Sequence, residues 1–441
     1  MSAARTRARR RVAITGIGLV TPVGNDVATT WDALLAGRSG GAPIAGFDAS
    51  GFPVRIAAEV KGFSGDELIG DRKVLKYTNR SHRFALVAAE QAFRDAGIRP
   101  TAETAKRWGC AVGAGMMTSE FNDLAVMHAH SAADGELHTD RLLTDPAAND
   151  PMIFCRSQAT AGVSLLTRRY GIEGYATSVH TACASGGQAL GTALKLIRRG
   201  AVDAALAGGF DSMISPVGIS GFCLLSALST DNDTPQRASR PFDATRNGFL
   251  LGEGAGFLVL EEWDAARARG ARIYAELAGD GNSLSSYRIT DSPPDGDGPI
   301  QAMRAALADA GASTADVDYL NAHGTSTGMN DRSETAATRT VFGDDVMRVN
   351  VSSTKSSMGH LIAAAGAVEV AVCALAVQRG EMPVNANLVV RDPDCDLNFV
   401  TGAPRRQRVR VAMSNSFGFG GSNSCVVVRN PEEVDGVGAH G

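Results

Sequence analysis

At 441 residues and 44% hydrophobic, the chain is long enough to bury one very large core or two packed domains. A net charge of −4 removes any bulk attraction to nucleic acid or to an acidic membrane surface. The seven cysteines (Cys110, Cys155, Cys183, Cys223, Cys373, Cys395, Cys425) are odd in number and form no C-x-x-C pair, which points to a reduced, cytoplasmic setting without disulfide framework or structural zinc.

In chain order, the basic run Arg5–Arg11 followed by apolar Val12–Val20 imitates a secretory leader. The apolar run is short, broken by Gly16 and Gly18, and continues into Pro22-Val23-Gly24 without a cleavage site. A disordered basic tail over residues 1–10 and a buried first strand are expected. No run approaches the length of a membrane span. Short apolar strands alternating with small-residue helices predict an α/β fold with mostly parallel strands. Strands are expected at Arg11–Thr15, Trp108–Gly113, Tyr175–Val179, Asp203–Gly208, Gly256–Leu260, Ile273–Gly279, Val317–Asn321 and Arg408–Met413. Helices are expected at Thr29–Leu35, Asp71–Ala96, Ala184–Arg199, Glu262–Arg269, Ile300–Ala310, Asp331–Phe342 and Leu361–Gln378. Two similar helix endings, Ala193–Gly200 and Ala374–Gly380, hint at an internal duplication dividing near Gly270. So do two strands that run into glycine-rich turns, Ile14–Gly18 and Leu277–Gly281. Residues 116–157 fit neither half and read as an insertion, in which His128, His130 and His138 belong to a solvated helix or loop and not to a metal site.

One stretch organises the rest, Thr181-Ala182-Cys183-Ala184-Ser185-Gly186-Gly187. It joins a strand to a helix whose apolar positions are Ala189, Leu190, Ala193, Leu194 and Ile197, so Cys183 lies at a helix N-terminus. Free N–H groups and the helix dipole there favour a thiolate, so a depressed thiol pKa is expected. A small buried hydrophobe is the competing account of any single cysteine. In the second half, Asp318–Gly328 is an apolar strand ending in His323 and a Gly/Thr/Ser turn. Asn350–His360 has the same shape and carries Lys355, and Ser414–Asn423 is a glycine-tipped connection between two strands. Taken singly, each histidine also fits a turn or capping role. No glycine cluster completes G-x-G-x-x-G after a strand, which disfavours a dinucleotide site.

Together, Thr181–Ser185, Asn321–Thr327, Ser353–Leu361 and Asn415–Gly421 resemble, in order, the signatures of β-ketoacyl-[acyl-carrier-protein] synthases of the elongating type II kind. Gly16–Gly24 and Pro241–Gly256 look like the family too, and the resemblance spans residues 11–429. It implies the thiolase fold, two similar halves (11–270 and 271–430, with a flexible tail 431–441) in five α-β-α-β-α layers, normally as a dimer. Asn330–Ala337 and Thr245–Gly248 look like ketosynthase subunits of bacterial aromatic or polyene polyketide systems. The implied reaction is a decarboxylative Claisen condensation of malonyl-carrier protein, without a cofactor, on substrates held by the phosphopantetheine of an acyl carrier protein.

The resemblance assigns Cys183 as nucleophile, the N–H groups of Cys183 and Phe417 as oxyanion donors with Phe417 also the gate, and His323 and His360 as enolate donors. Lys355 would hold the nearby histidine neutral and pair with Glu369, with Thr325 and Thr327 supporting. Met116 and Met117 would line the acyl pocket. Arg72, Lys73, Lys76, Arg80 and Arg83, on one helix starting near Asp71, would dock the carrier protein. The partners implied are that carrier and a second copy, or a second thiolase-fold chain-length subunit; nucleic acid and membrane are not implied. A thiolase-like coenzyme A acyltransferase shares the fold, but Lys355–His360 speaks against it. A chain-length partner subunit would lack the nucleophile, so Cys183 with both histidines counts against that.

Overall fold

The computed structural model describes residues 9–115, 119–145, 150–290 and 292–435. The Met116 and Met117 expectation and most of both tails lie outside them. The first strand, β1 (Val12–Val20), is buried at all nine positions, as a strand covered on both faces must be. Its glycines lie within the strand and not in a turn. A Cβ on Gly16 or Gly18 would come 2.2 or 1.9 Å from the carbonyl oxygens of Ala92 or Ala88, so their absence lets helix α1 (Arg80–Ala96) lie directly on the sheet.

The other strands of the main sheet are β2 (Trp108–Ala114), β3 (Ala176–Val179), β4 (Ala204–Asp211), β5 (Gly254–Glu262), β6 (Ala275–Leu284), β7 (Val317–Asn321), β8 (Asn350–Ser352), β9 (Val411–Phe417) and β10 (Ser422–Arg429). They form one mixed sheet in the order β8-β7-β9-β10-β6-β1-β5-β4-β2-β3. Outward from the central β1–β6 contact, each strand of one half has its counterpart five strands later in the other. Pairing senses repeat as well: β2 is parallel to β3 and β4, β7 is parallel to β8 and β9, and the other pairs are antiparallel.

Helices divide into three layers. The outer layers are α1 with α2 (Ala161–Tyr170) on one side, and α5 (Asp297–Ala310) with α6 (Gly328–Phe342) on the other. Between the two half-sheets lie α3 (Ser185–Arg198) and α7 (Ala365–Arg379). This is the five-layered thiolase arrangement. The apolar stretch Ile362–Arg379 is long enough to cross a membrane, yet 89% of it is buried in this central layer, so it is a core helix.

Two expectations are corrected. Asp71–Ala96 is not one helix. A short helix, Arg72–Leu75, stops before Asn79, which caps α1 by accepting from the His82 N–H while His82 Nδ1 accepts the Asn79 N–H. The basic tail is fixed from Arg9 onward, because Arg9 pairs with Asp309 at 2.5 Å and Arg10 with Asp203 at 2.8 Å.

Candidate active site

Each half turns from strand to central helix through the same device. After β3, Ala182 takes φ +48°, Ala182–Ala184 form a tight turn and α3 follows. Before α7, Ile362 takes φ +46° and Ile362–Ala364 form the matching turn. Left-handed non-glycine residues are strained, at a cost on the order of 1–3 kcal/mol each, and such strain concentrates where chemistry is positioned. Cys183 therefore occupies the place that Ala363 holds in the other half.

The nucleophile turn meets both histidine loops. His360 Nε2 lies 3.0 Å from Cys183 Sγ, and the His323 and His360 rings stand edge-to-face with centroids 5.2 Å apart. His360 Nδ1 accepts the Ile362 N–H at 3.2 Å, which leaves the ring proton on Nε2, facing the sulfur. A cavity of about 290 Å³ opens onto Cys183, His323 and His360, with Thr325, Thr327 and Phe419 in its wall. No Asp, Glu, Lys or Arg stands among its described lining residues. The Thr325 and Thr327 hydroxyls bond to each other at 2.9 Å.

Burial governs the electrostatics. It pushes both histidines well below the ordinary imidazole value; Lys355 adds to the effect on each, and His360 adds to it on His323. Both rings are therefore neutral donors near pH 7. Lys355 Nζ is bound to Glu369 Oε1 in a fully buried pair, and burial raises Glu369 against the pull of that lysine. The expectation of a depressed thiol is corrected. Burial pushes Cys183 up to about 12 despite the opposing pull of Lys355 and of two nearby backbone N–H groups. Those N–H groups belong to Cys183 itself and to Phe419.

The Phe417 assignment is corrected by the same contact. Phe417 ends β9, paired with Asn423, and its buried ring packs 5.8 Å from His323. Phe419 is half-buried at the hairpin tip, against Phe222 and beside the cavity. The basic docking face is corrected too. Arg80 is bound to buried Glu253, with Nη2–Oε1 at 2.5 Å, and Arg83 pairs with Asp66 at 2.8 Å. Arg72, Lys73 and Lys76 remain exposed, on and just after the short helix, with no ion pair among the described residues.

Two carboxylates carried no expectation. Glu334, on α6, accepts the His323 N–H at 2.8 Å, the Gly324 N–H at 2.7 Å and Asn415 Nδ2 at 3.0 Å, fixing the His323 loop from behind. Asp211 accepts the Ala363 N–H at 3.1 Å and so holds the turn after His360. Burial raises each to about 7. The thiol and imidazole donor atoms lie within 4.8 Å of one another and could in geometry ligate a metal ion. The nearby Lys355 charge and the raised thiol, which would have to lose its proton to ligate, both oppose a cation there.

This arrangement, a buried cysteine with two neutral imidazole donors and two N–H groups at the sulfur, is that of a carbon–carbon condensing enzyme. Residues 9–266 match the beta-ketoacyl synthase N-terminal domain and residues 274–389 its C-terminal domain, and the chain belongs to this family. It is 41% identical to the 3-oxoacyl-[acyl-carrier-protein] synthase 2 of Coxiella burnetii, over 95% of this chain and 98% of that one. Among solved structures it is similar to the ishigamide ketosynthase/chain length factor (TM-score 0.85, 36% identity, covering 96% of this chain and 100% of that one). It is also similar to a type II polyketide synthase acyl-carrier protein in complex with its ketosynthase bound to the hexaketide (TM-score 0.84, 33% identity, 96% and 99%). The protein is thus an acyltransferase of the 3-oxoacyl-[acyl-carrier-protein] synthase type, performing β-ketoacyl condensation.

Proposed function

We propose that the chain condenses malonyl-carrier protein with an acyl chain held on Cys183. The supporting observation is the convergence of Cys183, His323 and His360 on one uncharged cavity. Cys183 Sγ attacks the acyl thioester; the new C–S bond forms, the carrier thiol leaves with the cysteine proton, and the N–H groups of Cys183 and Phe419 hold the oxyanion. Malonyl thioester then enters. Its carboxylate departs as carbon dioxide, and the electron pair moves onto an enolate oxygen held by His323 and His360. The enolate carbon attacks the acyl carbonyl, the C–C bond forms and the C–S bond breaks, and the sulfur regains a proton from water. Phe419, on a tip where Gly420 and Gly421 take φ +78° and +79°, gates the acyl group. Incubation with acyl- and malonyl-carrier protein should give an acyl increment on Cys183 and then a β-ketoacyl product; no increment from any acyl-carrier substrate would reject this reading.

Burial keeps the imidazoles neutral, and Lys355 reinforces it. Burial and the neighbouring cation both disfavour the protonated ring, so the acid limb of condensation should lie below pH 6.5, where an ordinary histidine would become charged and His360 would give up its Nδ1 acceptor. Replacing the whole pair, Lys355→Met with Glu369→Leu, avoids leaving one charge buried alone, which costs about 3–5 kcal/mol. The limb should then move up in pH. An unmoved limb would assign the lowered values to burial alone.

The carrier first meets Arg72, Lys73 and Lys76, the basic residues on and just after the short helix. Arg72→Glu with Lys76→Glu should raise the apparent KM for carrier-borne substrate in a salt-sensitive way and spare a small thioester analogue. Equal losses on both substrates would indicate a damaged fold. The enzyme works as a dimer in the cytoplasm, with two halves meeting near Gly270. The mirrored strand order and the separate family matches on either side support that division. The second chain, a copy or a chain-length subunit, continues the sheet at β3. That strand is half-exposed on its edge beside exposed Tyr175, whereas the opposite edge strand β8 is covered by a bridge to Phe399.

A further inference from the structure

The described lining of the cavity carries no charged side chain. Four large apolar side chains stand exposed on it or beside it: Leu224 at 87%, Leu225 at 52%, Ile289 at 81% and Met329 at 45%. Leu225 and Met329 line the cavity directly. Leu224 is the last residue of helix α4 (Pro216–Leu224) and is adjacent to Leu225. Ile289 neighbours cavity-lining Thr290, and its carbonyl accepts the Gly420 N–H at 2.6 Å, which ties it to the Phe419 hairpin. Single exposed leucines are ordinary on any protein surface. These four are different because they come from three separate parts of the chain and each either lines the cavity onto Cys183 or adjoins a residue that does, with no charged residue in the described lining.

We infer that Leu224, Leu225, Ile289 and Met329 form an apolar collar that seats the carrier protein around its thioester arm. The inference rests on the reading that substrate arrives on a carrier. A flexible arm reaching Cys183 must enter through this opening, so whatever bears the arm covers the collar. The occupant is accordingly the apolar surface flanking the arm's attachment point, with Arg72, Lys73 and Lys76 supplying long-range attraction and the collar the short-range contact. A contact of this kind does not weaken as salt rises, unlike one made by charge.

The test uses Leu224→Ser with Ile289→Ser in the full chain. Neither residue lines the cavity and both are mostly exposed, so the substitutions leave the core intact. Acyl loading of Cys183 is measured from an acyl-carrier protein and from an acyl-N-acetylcysteamine thioester, each at low and high ionic strength. The apparent KM for the carrier substrate should rise about tenfold, the loss expected when two contact residues of an interface are truncated. The small thioester should load unchanged, and the ratio of variant to wild type should not shrink with salt. Wild-type kinetics in the variant on the carrier substrate, or a ratio that collapses at high salt, would overturn the collar while leaving the condensing activity standing. Failure of the wild type itself to load from any carrier would overturn both.

Discussion

Cys183→Ala is expected to abolish acyl transfer onto the protein, a loss of at least ~10³-fold, since removing the nucleophile leaves only binding and oxyanion donors. The change removes one buried sulfur and retains the Cβ, so the fold should survive. Intact-mass measurement after incubation with an acyl-carrier substrate should give an acyl increment on wild type and none on the variant. Peptide mapping decides between cysteines. Cys110, Cys373, Cys395 and Cys425 are buried, Cys155 and Cys223 are half-buried, and only Cys183 combines a cavity wall with a histidine at 3.0 Å. An adduct on Cys155 or Cys223 in both proteins would remove Cys183 from its role. Cys183→Gln should retain malonyl decarboxylation, because His323 and His360 keep their places and the amide fills the acyl position.

The strand pattern was legible because strands covered on both faces appear as short apolar runs. Val317–Asn321 was bounded as it stands, whereas β9 begins at Val411, three residues after the expected Arg408. The broken helix was hidden because its capping box uses an unusual partner. His82 stands where a glutamate or glutamine would mark an N-terminus, so residues 71–96 read as one periodic run. Gly16 and Gly18 looked like a turn because sequence alone does not reveal that a helix backbone will lie against them.

At the site, local motifs carried the residue types but not their reach. Phe417 and Phe419 are two residues apart, and which N–H faces the sulfur depends on the left-handed glycines of the hairpin tip. Glu334 acts on His323 from a helix eleven residues downstream, and Asp211 acts on the turn after His360 from a strand in the other half. Neither connection has a local spacing rule. The thiol value was misjudged for a related reason. A helix N-terminus is visible in sequence, but the complete burial that outweighs it is a property of the assembled halves.

His323→Ala and His360→Ala should each lower condensation by about 10²–10³-fold, the usual loss on removing one oriented donor from a developing oxyanion. Their effects on the first half-reaction should differ. His323→Ala should leave acyl loading near wild type, since the imidazole bonded to the sulfur is His360 and the role proposed for His323 is toward the enolate. His360→Ala should slow loading as well, because its Nε2 lies 3.0 Å from Sγ. The double variant should fall well short of the product of the single losses, because both donors serve one oxygen. His360→Gln tests whether hydrogen-bond donation suffices: a side-chain N–H near the Nε2 position should recover part of the rate, while a proton-accepting role would not be rescued. Thermal melting of each variant separates lost chemistry from the packing loss of a buried ring. Unchanged condensation in both alanine variants, with the fold intact, would refute the paired-donor assignment.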